Sequence, residues 1–420
     1  MAEIRPFRGI RYNREEIEEI ASVITLPYDK ITPELQERYY NRHPYNYVRI
    51  VLPKEDNRYE LAKERIEEWQ KNRILIRDEK PAFYLYYQEF ERDGRHLRKG
   101  LVAALRLEEF EKGIVLPHEK TLSKPKEDRL KMMRATRKNL GHVFMLYSDK
   151  EDRINRAFEH TTQRPPEIEV RDEFGITHRL WKEEDSEVIE EVKGLMRDKV
   201  LLIADGHHRY ETSLSYRNEI KKTNPDPLAP FNYRMVTLVN LFDPGLLILP
   251  THRLIFNLKE LEMGRVLEEM GKYFHLEEIA AEKIKDRLKE LASLHSFGMY
   301  TLQGSYLLTL KDESVLEEFV KNRSQEYRTL DVTILHSLII ENILGIPSEK
   351  VEEHIRYERE AGEAMEKVRK GEFQIAFLLN PTKATQVERV ARQKERMPQK
   401  STDFYPKLAS GLTIFDLEEW

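Results

Sequence analysis

From residue 200 to residue 203 the chain is continuously apolar, and the next large apolar positions, Tyr210, Leu214 and Tyr216, recur at helical rather than strand spacing. The pattern predicts a buried strand, a turn over residues 205–209 and a helix behind it. Upstream, Thr32 opens a short helix, residues 47–52 read as a strand, and residues 56–71 read as a helix with Leu61, Ala62, Ile66 and Trp69 on one side. The alternating aromatics of PAFYLYYQEF, the Asp93-Gly94 turn and the apolar run after it predict a β-hairpin. A helix from Lys126, a strand from Val143, the strand ITHRLW, a charged helix over 183–198 and the strand YRMVTLVNLF complete the middle of the chain. In the last third, VTILHSLIIENILGI reads as a buried helix and FQIAFLLN as a strand.

Strands and helices alternate without long gaps, which predicts an α/β or α+β fold. At 420 residues the chain exceeds one ordinary domain. Its divisions read as an N-terminal α/β segment with the hairpin (1–107), a central phosphate-binding core (108–250) and a C-terminal α/β domain (251–420). There is no internal repeat, low-complexity segment or long linker, so the domains are expected to pack closely.

Composition narrows the chemistry. There is no cysteine, which excludes disulfides, thiolate catalysis and Cys-based zinc sites. Charged residues make up 35% of the chain against an ordinary level of about 25%, a surplus that resembles thermophile surfaces. The net charge of −5 and the lack of a basic tail argue against nucleic acid as a partner. The N-terminus has no apolar leader and no stretch is long enough to span a bilayer, so a cytoplasmic protein with no membrane partner is expected. Whether it forms a homo-oligomer stays open.

The predicted turn carries Asp205, Gly206, His207, His208 and Arg209. A helix start offers backbone N–H groups and partial positive charge to an anion such as phosphate. Gly206 permits a sharp turn or a close ligand, and the histidines and Arg209 add donors, Arg209 with a two-pronged grip. Asp205 is an anion beside an anion site and suits a base, a metal ligand or an anchor for the histidines. A plain Asp-Gly turn or an Asp cap would explain Asp205 and Gly206, but not two histidines and an arginine directly behind them.

A second group is Pro117-His118-Glu119, at a strand exit after Ile114, Val115 and Leu116. Taken alone it is a solvated His-Glu pair; facing the turn, Glu119 becomes a general base. Lys126 and Arg129, three apart at a helix start, share a face and are candidates for phosphate contact. Pro27-Tyr28-Asp29 reads as a turn, with a substrate contact as the alternative. Near the C-terminus, MPQKSTDFYPK gathers Lys400, Ser401, Thr402, Tyr405 and Lys407 in a polar cluster able to close over a ligand. His336 reads as a satisfied core histidine.

The PHE and DGHHR boxes, in this order, resemble those of the ParB/sulfiredoxin-like fold, and in particular its free L-serine kinases. The resemblance implies a nucleotide-binding core flanked by N- and C-terminal α/β segments. It implies that His207, His208 and Arg209 bind phosphates, that Glu119 beside His118 acts as base on a serine hydroxyl, and that Asp205 assists or, with Glu119, holds Mg²⁺. The cofactor is then ATP, ADP or pyrophosphate with magnesium, and the small-molecule substrate L-serine or phosphoserine. The stretches PYDKITPE, HPYNYVR, HEKTLSKPKEDRL, ADGHHRYETSL and MPQKSTDFYPKL also resemble, over nearly the whole chain, a bacterial and archaeal family filed as a domain of unknown function, number ten-fifteen. No Walker A motif and no kinase Gly-rich loop occurs. Three classes stand: a phosphotransferase on a small hydroxyl compound, a metal-dependent phosphatase or hydrolase using His118, Glu119, Asp205, His207 and His208, and a ParB-like binding module gated by nucleotide.

Overall fold

The structure is a computed structural model that describes residues 1–119 and 123–420, without the side chains of residues 123–125. It is a mixed α/β protein of two compact units. The first comprises residues 1–117, 121–247 and 406–420, the second residues 118–120 and 248–405.

The first unit is built on a nine-stranded sheet. Its strands are β1 (Ile4–Arg5), β2 (Phe83–Glu91), β3 (Arg95–Arg106), β4 (Val115–Leu116), β5 (Val143–Tyr147), β6 (Ile168–Arg171), β7 (Thr177–Glu183), β8 (Leu201–Asp205) and β9 (Tyr233–Asn240). They lie in the order β4-β8-β5-β9-β3-β2-β7-β6, with β1 paired to the end of β3. β8 runs parallel to β4, and β9 parallel to β5. β2 and β3 form the expected hairpin. β3, from the first third of the chain, pairs with β9, from the middle third, so residue 107 lies inside this unit.

The longer helices of this unit are α1 (Pro33–Arg42), α2 (Arg58–Lys71), α3 (Ser123–Thr136), α4 (Ser186–Met196) and α5 (His207–Ile220). Thr32 caps α1 by accepting from the Leu35 N–H, with Pro33 in the first turn. α2 buries Ala62, Ile66 and Trp69 at helical spacing. One core gathers Val143, Met145, Leu201, Ile203, Val236 and Leu238 from the sheet with Tyr210 and Leu214 from α5. Each such aliphatic side chain contributes roughly 1.5–3 kcal/mol by leaving water, enough to fix where β8 ends and α5 begins.

The strand expected over residues 47–52 is instead a helical turn, Val48–Val51. The Asn46 side chain accepts from the Val48 N–H at 3.0 Å, and the Tyr47 hydroxyl donates to the Leu140 carbonyl at 2.9 Å. A short apolar run is compatible with either element, and the Asn46 side-chain bond just ahead of the helical turn favours the helix.

The second unit has a six-stranded sheet of β10 (His252–Ile255), β11 (Phe274–Glu278), β12 (Ser296–Thr301), β13 (Gly304–Leu310), β14 (Ile355–Glu358) and β15 (Ile375–Leu379). The order is β11-β13-β12-β15-β10-β14, with every pair antiparallel. The apolar stretch from Val332 is helical as expected, with Leu335–Ile343 wound as a π-helix. His336 in it accepts from the Arg253 Nε–H at 3.3 Å. Among the described residues, no helix is long and apolar enough to cross a membrane.

Three histidines set an acid limit on stability. Burial, reinforced by neighbouring arginines, pushes His142 and His336 down to about 3 and His252 to about 4. Each is held neutral in the fold, while the unfolded chain takes up protons below about 6.5. Their contribution is therefore complete above that pH and is lost as pH falls toward 4, at up to about 1.4 kcal/mol per pH unit for each histidine. The urea midpoint is expected to drop between about pH 7.5 and about pH 5, before most carboxylates titrate. Equal midpoints would mean these rings are protonated in the fold.

Candidate functional site

β8 delivers the DGHHR turn. Its pairing with β5 slips between Ile203 and Asp205, a bulge that re-aims the end of the strand. Gly206 follows in the left-handed region at φ 94°. No side chain caps α5, whose first three residues are His207, His208 and Arg209. A Cβ at Gly206 would stand 3.0 Å from the Arg209 guanidinium carbon. Gly206→Ala is therefore expected to cost about 1–3 kcal/mol from backbone strain and contact together. Thermal unfolding would read this as a midpoint several degrees lower.

Arg209 curls back under the turn. Its Nη2 donates to Asp205 Oδ2 at 3.0 Å and lies 3.9 Å from Asp29 Oδ1, while Nη1 donates to the His142 carbonyl. Asp205 is surrounded by positive charge. Burial works to raise its carboxyl, but Lys407, Arg209, Lys30 and His207 outweigh burial and hold it well below the usual carboxylate range. It is an anion at any ordinary pH. His208 moves down from its ordinary value, through burial first and then Lys126 and Arg209, against the pull of Glu211 and Asp29. That leaves a neutral ring with a lone pair. His207 is buried as the first residue of the helix.

α3 lies against α5. Lys126 forms an ion pair with Glu211 of α5. Arg129 donates from Nε to Asp128 at 2.7 Å and from Nη1 to the Val51 carbonyl at 2.9 Å, and its guanidinium lies 4.2 Å from the centre of the Tyr28 ring. The Pro27-Tyr28-Asp29 turn thus belongs to the surroundings of Arg209 and Arg129. Lys30 and Lys407 also act on Asp205, and the Lys407 carbonyl is held by the Gln88 side chain at 3.0 Å.

His118 and Glu119 of the PHE box belong to the second unit, Pro117 to the first. His118 is fully buried, its Nε2 2.9 Å from Thr402 Oγ1 and its carbonyl accepting from the Met397 N–H at 2.8 Å. Its ring meets Phe404 edge-on. Glu119 is about a quarter exposed, with Oε1 3.9 Å from His118 Nε2. The Glu119 carbonyl accepts from Arg396 at 3.4 Å. The segment from Met397 to Phe404 therefore seats His118 and Glu119. Within it, Lys400 has a positive φ of 57° and its carbonyl accepts from Arg253. Ser401 is buried and donates to the Pro398 carbonyl at 2.6 Å, and Tyr405 ends the strand Asp403–Tyr405.

The fold thus gathers Asp205, Gly206, His207, His208, Arg209, Lys126, Arg129 and Lys407 in the first unit. His118, Glu119, Lys400, Ser401 and Tyr405 fall in the second. The part played by Lys30 and Asp29 escaped the sequence reading, since a Tyr-Asp-Lys run after a proline has no signature beyond a turn. Among the described residues, no three His, Asp or Glu side chains converge so as to hold a metal ion by themselves. One ionised carboxylate beside an uncapped helix start does suit Mg²⁺, which is bound through one or two carboxylates plus substrate phosphates.

The arrangement defines a mixed α/β protein with a charged strand-to-helix turn as its candidate site. The profile described as Protein of unknown function (DUF1015) matches residues 4–333, and the chain belongs to that family. Among solved structures, the chain is similar to a mutant free serine kinase in complex with AMP, at 12% identity and a TM-score of 0.37 over 73% of this chain and 88% of that one. A conserved hypothetical protein from Pyrococcus furiosus matches at 14% identity and a TM-score of 0.33, over 73% of this chain and 92% of that one. C-terminally truncated SbnI from Staphylococcus aureus matches at 10% identity and a TM-score of 0.32, over 75% and 87%. No curated protein matches the chain.

Proposed function

We propose that the protein is a nucleotide- or pyrophosphate-dependent phosphotransferase on a small hydroxyl compound, with free L-serine and O-phosphoserine as the first pair to test. The observation that carries this is the turn itself: an ionised Asp205 among Lys407, Arg209, Lys30 and His207, at a helix start that no side chain caps. Phosphoryl transfer needs placed charge more than covalent chemistry, and this turn supplies placed charge.

In this reading the first turn of α5, with His207, His208 and Arg209, holds the donor phosphates, and Lys126 and Arg129 flank them. The substrate hydroxyl oxygen bonds to phosphorus, the bond from phosphorus to the leaving phosphate oxygen breaks, and the hydroxyl proton passes to Glu119. Magnesium, when bound through the phosphates and Asp205, supplies charge neutralisation. The resemblance of the PHE and DGHHR boxes to those of the free L-serine kinases supports the assignment of Glu119.

Phosphorus NMR tests the proposal. The protein is incubated with Mg²⁺ and L-serine, with ATP, ADP or pyrophosphate in separate tubes, and phosphoserine plus acceptor tests the reverse direction. A phosphoserine signal that depends on one donor is the expected result and names the donor. Free phosphate released from phosphoserine alone would replace the proposal with a hydrolase, and silence in every tube would replace it with a binding module.

A further inference from the structure

Arg234 is the second residue of β9, a strand that is otherwise largely apolar, and it is 2% exposed. Its Nη2 donates to the Gly141 carbonyl, and its Nε has no hydrogen-bond partner among the described residues. The groups that act on its charge are Arg209, which repels it, and the phenols of Tyr28 and Tyr47, with no carboxylate among them. Burial, with that repulsion added, lowers its guanidinium to about 9. A buried cation left without a counter-charge is costly, and proteins pair it with an anion.

Beside it lies a cavity of about 40 Å³ whose wall includes Arg234, Arg209, Arg129, Thr212, Tyr28 and Ser410. Thr212 is 1% exposed, and its Oγ1 also has no partner among the described residues. It follows Arg209 by three positions on α5, so the two side chains share one helix face. A water needs about 10–15 Å³ of such space, so the cavity holds roughly three waters or one tetrahedral oxyanion. Three guanidinium groups and a hydroxyl make the oxyanion the better occupant.

We propose that this cavity is a phosphate site in its own right, taking inorganic phosphate or the phosphoryl end of a small phosphomonoester through Arg234, Arg209, Arg129 and Thr212. Neither His207 nor His208 lines it. The site shares Arg209 and Arg129 with the phosphate grip proposed for the turn, but Arg234 and Thr212 belong to it alone, and it stands whether or not phosphoryl transfer is found.

Isothermal titration of the full chain with inorganic phosphate, at constant ionic strength made up with chloride, tests it. Saturable phosphate binding is expected, weakened at least about tenfold by Arg234→Met and several-fold by Thr212→Val. Thr212→Val is close to isosteric and decides the matter if the Arg234 variant does not fold. A parallel titration with phosphoserine separates the sources: binding of both ligands assigns the site to a phosphoryl group, and binding of phosphate alone assigns it to the free anion. No saturable binding over the chloride background would overturn the proposal. So would equal affinity in wild type and Thr212→Val.

Discussion

Asp205→Asn should abolish phosphoryl transfer while the chain stays folded. The asparagine keeps an oxygen to accept from Arg209 Nη2, so the 3.0 Å bond that braces the turn survives. What it removes is the negative charge around which Lys407, Arg209, Lys30 and His207 are gathered. Preorganised charge at such a site is worth about 3–4 kcal/mol in the transition state, so the rate is expected to fall about 10²–10³-fold. Asp205→Ala is the harsher change. It strands a buried guanidinium, and breaking a buried pair costs about 3–5 kcal/mol, so that variant tests folding more than catalysis. The carboxyl also has a pH signature. Its value in the fold lies below its unfolded value, so its stabilisation is complete above about pH 4 and is lost as pH falls toward the folded value. The asparagine variant should lose that part of the acid limb. Transfer rates by phosphorus NMR, far-ultraviolet circular dichroism and urea midpoints check the three parts. A transfer rate within about tenfold of wild type would remove Asp205 from the machinery.

The second large effect is expected at Glu119. Glu119→Gln keeps size and hydrogen bonding but cannot take a proton. A general base contributes about 10²–10⁴-fold, and that loss should fall on kcat with nucleotide affinity unchanged. The fold should tolerate the change: the side chain is about a quarter exposed, and its ion-pair contact is His118 Nε2 at 3.9 Å. His118 is the less tolerant neighbour, fully buried and tied to Thr402. A glutamine variant that raises KM for serine but keeps kcat would make Glu119 a positioning residue, and one that changes neither would end its candidacy.

These two residues show how far a sequence reaches. The apolar run into Asp205 and the helical spacing after it placed the strand-to-helix junction, because a buried strand and an amphipathic helix each write a period into the chain, but the turn expected over residues 205–209 is narrower in the structure, with Asp205 still in β8, Gly206 between the elements and His207 opening α5. The hairpin at Asp93-Gly94, the Thr32 cap and the helix of Arg58–Lys71 were legible for the same local reason. Residues 47–52 form a helical turn where a strand was expected because six apolar-rich positions fit either period, and the Asn46 side-chain bond to the Val48 N–H leaves no separate mark.

Other features depend on residues far apart in the chain. The pairing of β3 with β9 joins segments more than a hundred residues apart into one sheet, and no composition shift announces it. The segment carrying Thr402 is brought to His118, and Lys407 to Asp205, by chain reversals that local pattern does not encode. Arg234 left one trace, a charge near the head of an apolar strand, but its meaning comes only from the cavity beside it. By itself the sequence determined the mixed α/β class, the strand-turn-helix that carries DGHHR and the residue types fit for phosphate. The tertiary structure alone decided which charges surround Asp205, which segment seats His118 and Glu119, and that Arg234 is buried without a counter-charge. The physical reason is range: secondary structure follows from hydrogen bonds and hydrophobic period over a few residues, whereas electrostatic environment is a sum over everything within several ångströms, whatever its place in the chain.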